Sequence, residues 1–267
     1  LLGADEGGEV PVYASFGEVR SGAQRIEDVE ARIEQGFRTV KIRVHEDEEA
    51  DVRQVTEVAD AVGGRVAIGV DANQGWRVSV FGDAPSWDLD RAKRFADVCA
   101  DLGIAWLEEP LPMDAYDDQV ALNGYSRVPI SGGELHTGGE PELRMMIERG
   151  CYSIYQPDAL FTGGIEQTRR VIELCRQHGV TYTPHTWTNG LGFAANLHLW
   201  ALSERVKPLE FPLEEPGWVP EARDAMLTEP FQAENGTVSL PDGSGLGVTV
   251  DTEALARHGT RFFLAES

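Results

Sequence analysis

Eight residues of this 267-residue chain have types and spacing that could do chemistry: Lys41, Arg43, Asp71, Glu109, Glu134, Asp158, His185 and Glu210. Counted from Lys41 and passing over Arg43, successive separations are 30, 38, 25, 24, 27 and 25 residues, each the length of one strand-plus-helix unit. If the strand ends converge, Asp71, Glu109 and Glu134 crowd one side of a shared mouth. Packed carboxylates repel and raise one another's pKa unless a cation sits among them. Hard oxygen donors with room for water and substrate suit Mg²⁺ better than Zn²⁺. Lys41 and Arg43 stand two apart on a strand and so share a face. Asp158 could orient His185, since a carboxylate on one ring nitrogen fixes the tautomer and leaves the other nitrogen free to move a proton. Together these groups could stabilise the enediolate formed when a carboxylate substrate loses its α-proton.

The elements that must position these groups alternate along the chain. Apolar or β-branched runs predict strands at 10–16, 39–44, 66–73, 104–110, 128–134, 152–159, 181–186 and 208–211. Helical patterns fill the intervals at 26–37, 46–62, 88–102, 116–125, 140–149, 165–178 and 191–204, several ending at a glycine such as Gly63, Gly103, Gly150 or Gly179. Strict βα alternation forces parallel strands, and eight units predict a closed (β/α)8 TIM-like barrel over residues 9–211. In such a barrel the C-terminal strand ends meet at one mouth. Residues 212–267 break the pattern. There, 237–240 and 247–250 read as a small β appendix packed outside the barrel.

Forty-five acidic against 23 basic residues give a net charge of −22, which disfavours nucleic acid and anionic membranes as partners. No apolar run reaches the length of a spanning helix, and the first residues lack the regions of a signal peptide. Three cysteines without metal-type spacing read as reduced core thiols, so a cytoplasmic protein is expected. The basic residues are 20 Arg and three Lys. Together with the abundant acids, that bias suggests adaptation to high salt, where screening tolerates a dense negative surface.

The segments Thr39-Val40-Lys41-Ile42-Arg43, Val70-Asp71-Ala72-Asn73-Gln74-Gly75-Trp76, Leu107-Glu108-Glu109-Pro110, Ser131-Gly132-Gly133-Glu134, Gln156-Pro157-Asp158 with Gly163-Gly164-Ile165, and Pro184-His185 resemble, in order, the motifs of the enolase superfamily. Within it they resemble the mandelate racemase subgroup and its sugar-acid dehydratases, over roughly residues 9–251. The resemblance implies Asp71, Glu109 and Glu134 as ligands of Mg²⁺, and Asp158 with His185 as a His/Asp dyad. It further implies Glu210 as a carboxylate near the substrate, Lys41 and Arg43 as the cationic pair, a small carboxylate substrate, and a homo-oligomer from dimer to octamer. Where family members with a lysine base carry that lysine, this chain has Arg43, which is too hard to deprotonate to be an easy base. In the family a capping domain precedes the first barrel strand, which here reads as lying at the start of the sequence; a fragment or a divergent short form is expected, and the missing initiator Met favours a segment upstream. The expected reaction is Mg²⁺-dependent dehydration of an aldonate or aldarate to a 2-keto-3-deoxy acid. A racemase or epimerase, and a truncated barrel that only binds metal, are the alternatives.

Taken singly, an acid at a strand end reads as a helix cap or a rim charge. Three in matching motifs do not. Lys41 is one of very few lysines retained, although it could be a structural ion-pair partner. Trp76 and Trp187, just past strand ends, could line the pocket or pack in the core. His198 reads as a core or interface residue, and His45, His136, His178 and His258 as exposed or supporting. The run Gly190-Leu191-Gly192-Phe193-Ala194-Ala195 mimics a dinucleotide fingerprint but sits in the seventh βα unit, separated from its strand.

Overall fold

The computed structural model describes residues 8–44, 47–75 and 87–260; His45 and Trp76 lie outside them. Along the chain run β1 (Glu9–Ser15), α1 (Gly22–Glu34), β2 (Thr39–Arg43), α2 (Glu48–Val62), β3 (Ala67–Asp71), α3 (Leu89–Asp101), β4 (Trp106–Glu108), α4 (Tyr116–Tyr125), β5 (Ile130–Gly132) and α5 (Gly139–Arg149). There follow β6 (Ile154–Tyr155), α6 (Ile165–His178), β7 (Thr181–Tyr182), α7 (Gly190–Ala201), β8 (Leu209–Pro212), α8 (Pro220–Arg223), β9 (Thr237–Ser239) and α9 (Thr252–His258). The first eight strands pair in the order β7-β6-β5-β4-β3-β2-β1-β8, all parallel, which requires a crossover between successive strands. This is the α/β architecture expected, with one seam: among the described residues β7 and β8 share no backbone ladder. Side chains span that seam instead. Thr183 Oγ1 donates to Pro208 O at 3.1 Å, and the Thr186 amide donates to Glu210 Oε2 at 2.8 Å.

Strand alternation separates two packing layers. Val12, Ala14, Val40, Ile42, Ile68, Val70, Leu107, Ile130, Leu209 and Phe211 join the large apolar core that includes buried helix residues such as Val55, Phe95 and Val171. Tyr13, Trp106 and Ile154 form a separate small cluster, with the Tyr13 and Trp106 rings edge to face at 5.2 Å. Gly69 makes room for it, because a methyl there would collide with the Trp106 indole. Period-two alternation then directs Lys41, Arg43, Asp71, Glu108 and Glu210 to the same side as that inner cluster.

The ladders stop earlier than the apolar runs suggest: β3 ends at Asp71, β4 at Glu108, β5 at Gly132, β6 at Tyr155 and β7 at Tyr182. Beyond these points single backbone bonds still join neighbours, such as Gln74 N to Glu109 O at 2.8 Å and His185 N to Gln156 O at 3.2 Å, while Asn73 and Glu109 take positive φ values of 50° and 43°. The apolar character persists because the loops are themselves buried. The C-terminal segment also differs from expectation. Among its described residues past β8 only Thr237–Ser239 forms a strand, laid antiparallel on the start of β1, whereas Gly247–Val250 contributes a single bridge from Val250 to Leu227. Gly247, with a φ of 72°, opens that run in a turn conformation where a strand would have to start. Cys99, Cys151 and Cys175 are free and buried. Among the described residues no helix is long and apolar enough to cross a membrane.

Candidate active site

Backbone register aligns Arg43 with Asp71, Asp71 with Glu108, and Glu108 with Ser131, one row across β2, β3, β4 and β5. Glu108 therefore occupies the inner position on β4. The sequence reading passed it over for Glu109, which follows the strand end in the left-handed region. Both carboxylates are buried, but their partners differ. Glu108 Oε1 accepts from Lys41 Nζ at 2.6 Å, and its Oε2 accepts from Gln156 Nε2 at 2.9 Å and Trp106 Nε1 at 3.1 Å. Glu109 Oε2 has no hydrogen-bond partner and lies against Gly75, where a methyl would strike the carboxylate.

Lys41 is 1% exposed, and its ammonium meets Glu108 at 2.6 Å, Glu210 at 2.7 Å and Asp71 at 3.5 Å. Burial opposes the charge, but these carboxylates outweigh it and raise the Lys41 pKa well above its ordinary value. Glu210 is equally enclosed. It accepts from Ser15 Oγ at 2.7 Å, Trp187 Nε1 at 3.2 Å and the Thr186 amide. Burial would push its pKa up, yet Lys41 and His185 hold it at about 2. One ammonium cannot serve every acid around it: burial, together with Asp71 and Glu210, pushes Glu108 up to about 7 despite Lys41. Arg43 is the more accessible cation, its side chain 25% exposed, with one guanidinium nitrogen 3.4 Å from Asp71 and the group over the Trp187 ring at 5.9 Å.

Asp158 and His185 both stand in loops past their strands. His185 Nδ1 is 2.9 Å from Asp158 Oδ2, while Asp158 Oδ1 accepts from Asn196 Nδ2 and the Leu160 amide, each at 2.9 Å. The carboxylate is thus held from α7 and from its own loop. His185 Nε2 lies 3.3 Å from Glu134. Burial lowers the imidazole pKa, but Glu134 and the Asp158 hydrogen bond overcome it and bring it to about 9.

Six buried carboxylates (Asp71, Glu108, Glu109, Glu134, Asp158 and Glu210) therefore face two permanent cations. Burial, Glu134 and Asp71 push Glu109 well above the usual carboxylate range. Several buried polar atoms nearby lack partners: Arg43 Nε, Asn73 Nδ2, Glu109 Oε2, Ser131 Oγ and Gln156 Oε1. Surplus negative charge and orphaned oxygens fit a hard divalent cation. Among the described residues, however, no three acidic, histidine or cysteine side chains are gathered as a ready cage. Asp71 is engaged by Lys41 and Arg43, and Glu134 by His185, so basic groups stand where a cation would bind.

Trp187 lies beside the site, donating Nε1–H to Ser15 Oγ at 2.9 Å and meeting the Trp218 ring edge to face at 4.9 Å. His136, read from sequence as exposed or supporting, is buried with Nδ1 2.8 Å from Glu142. His198 Nε2 meets Leu246 O at 3.0 Å. The glycine run at 190–192 opens α7, where Asn189 caps two amides and side chains of Leu227, Asp224, Thr188 and Leu160 leave no room for a Cβ. Its glycines serve packing.

A family model described as enolase C-terminal domain-like matches residues 24–254, and the chain belongs to that family, within the mandelate racemase/muconate lactonizing branch of the enolase superfamily. It is 31% identical over 263 residues to D-galactarolactone cycloisomerase of Agrobacterium fabrum, covering 96% of this chain and 66% of that protein. It is 29% identical over 238 residues to L-talarate/galactarate dehydratase of Salmonella typhimurium, covering 86% and 52%. A mandelate racemase/muconate lactonizing protein of Paracoccus denitrificans, solved in complex with magnesium, superposes with a TM-score of 0.81 at 28% identity, covering 96% and 66%. The chain spans between half and two thirds of the length of these curated relatives.

Proposed function

We propose that this chain abstracts the proton α to the carboxylate of a sugar acid and expels a β-substituent, acting as an acid-sugar dehydratase. The Asp158-His185 pair in a carboxylate-lined mouth carries this reading. Asp158 holds Nδ1 and fixes the tautomer. With Glu134 committed to a cation, the imidazole loses the pull that now keeps it protonated, and Nε2 is free to take the α-proton. Arg43, planar and always charged, receives the substrate carboxylate. Asp71, Glu134 and one carboxylate of the Glu108-Glu109 pair would hold Mg²⁺, which would supply positive charge against the developing enediolate. Strand alternation favours Glu108 and the orphaned oxygen favours Glu109. Lys41 and Glu210 are too enclosed to meet a substrate as they stand, and they brace Asp71 and Glu108 from beneath.

A second reading has its own observation. Lys41 is locked among carboxylates and Arg43 does not titrate, so His185 is the acid-base group best placed for proton transfer. An elimination whose leaving group is a ring carboxylate needs only a base, which fits a cycloisomerase. The same scarcity argues against a racemase, which needs a second group on the opposite face. Screening sugar acids and their lactones with Mg²⁺ for 2-keto-3-deoxy acid tests both readings, and no keto acid from any member refutes them. Calorimetric Mg²⁺ titration of Glu108→Gln and Glu109→Gln identifies the third ligand as the one whose loss abolishes binding.

A further inference from the structure

Asp158 organises more than His185. Its backbone carbonyl accepts from the amides of Phe161 at 3.0 Å and Thr162 at 2.9 Å, while Oδ1 accepts from the Leu160 amide. The turn so closed presents Leu160 and Phe161 outward, 46% and 36% exposed, although Asp158, Ala159 and Thr162 are buried. The Phe161 ring stands 6.3 Å from the His185 imidazole, tilted by 42°. Leu160 fits where Gly192 lacks a Cβ, since a methyl there would press on its side chain at 2.8 Å. One carboxylate thus fixes both the base and an apolar wall beside it.

We propose that Phe161, backed by Leu160, is a specificity residue that selects a sugar acid in ring form, a lactone or anhydro sugar, over its open-chain counterpart; this rests on the cycloisomerase reading given above. An open-chain sugar acid bears hydroxyls along its length. Pressed against a phenyl face, such a hydroxyl loses water and gains no partner. A ring gathers C–H groups on one face, and the electron-rich face of an aromatic side chain accepts them. A substrate presenting its α-carbon to His185 lies within reach of this wall, whose ring centroid is 6.3 Å from that of the imidazole.

The test uses D-galactarolactone and galactarate as probes, with Mg²⁺ and the full chain. The wild type is expected to prefer the lactone by about tenfold, the cost of roughly one unpaired hydroxyl. Phe161→Ser should bring the ratio near unity, and Phe161→Tyr should retain it. Calorimetric binding of both probes to His185→Asn measures the preference without turnover, so failure of the proposed reaction and failure of the proposed selectivity read out separately. Equal affinity of the wild type for both probes, binding of neither, or a Phe161→Ser ratio like the wild type's would each overturn the proposal. A lowered unfolding temperature in Phe161→Ser with unchanged selectivity would assign the ring to packing and overturn it too.

Discussion

Two buried groupings of opposite charge share the mouth, one around Lys41 and one around His185, and they differ in what is left over. Around Lys41 the ammonium meets three carboxylates, and Glu210 is surrounded by Ser15, Thr186, Trp187 and Lys41. Around His185 only the Nδ1 side is secured, by a carboxylate itself anchored to Asn196 and Leu160. The other nitrogen faces Glu134, the Phe161 ring stands 6.3 Å from the imidazole, and Arg43 is partly exposed. Satisfied groups hold a shape, whereas groups with spare capacity can change partners and so do chemistry.

The comparison breaks most sharply at His185. His185→Asn should lower turnover by about 10²–10⁴-fold, the usual worth of a positioned acid-base group, while the asparagine amide keeps a hydrogen bond to Asp158 and the variant stays folded. Comparable activity in the variant would move the chemistry elsewhere. Lys41→Met should do the reverse, costing about 3–5 kcal/mol of stability in urea denaturation because Glu108, Glu210 and Asp71 lose their shared cation. A variant as stable as the wild type would show that the Lys41 grouping is not structural.

A third pair, of a buried histidine and a half-buried glutamate, extends the contrast away from the mouth. Glu142 accepts from Tyr116 Oη at 2.8 Å, meets His136 Nδ1 at 2.8 Å and accepts from the Gly138 amide, and the His136 contact leads the causes that hold its pKa at about 2. A carboxylate held below its unfolded value of about 4.3 stabilises the fold above that pH, and loses the contribution as pH falls through the folded value. The stability difference between wild type and Glu142→Gln should therefore be constant above about pH 5, on the order of 1 kcal/mol for a pair that solvent partly screens, and vanish toward pH 2. A difference independent of pH would contradict this. The smallest effect concerns the outer surface, where acids outnumber bases. Molar KCl should raise the unfolding temperature by a few degrees, about 2–4 °C per kcal/mol of repulsion screened. No rise would remove the salt-adaptation reading.

The order of strands and the residues spaced along them were legible because apolar runs and βα lengths repeat. Asp158 beside His185 was legible for the same reason. Glu108 was not. Two adjacent acids at a strand end point to opposite faces, and choosing between them needs the register, which a one-residue slip inverts. The confinement of Lys41 was also hidden, since nothing local marks Glu108 and Glu210, 67 and 169 residues away, as its partners. Nor did the sequence betray Arg25, buried on α1 against Glu214 at 3.3 Å, because an arginine at that spacing reads as a solvated face.

The strip of wall between β7 and β8 has a consequence for how the molecule loosens. With side chains rather than a ladder joining these two strands among the described residues, parting them breaks no backbone-to-backbone pairing, unlike parting the other parallel neighbours. Amides of residues 181–186 should then exchange with deuterated solvent ahead of those in β2 and β3. His185 and Glu210 ride on opposite banks of that gap, so its width sets the distance between them.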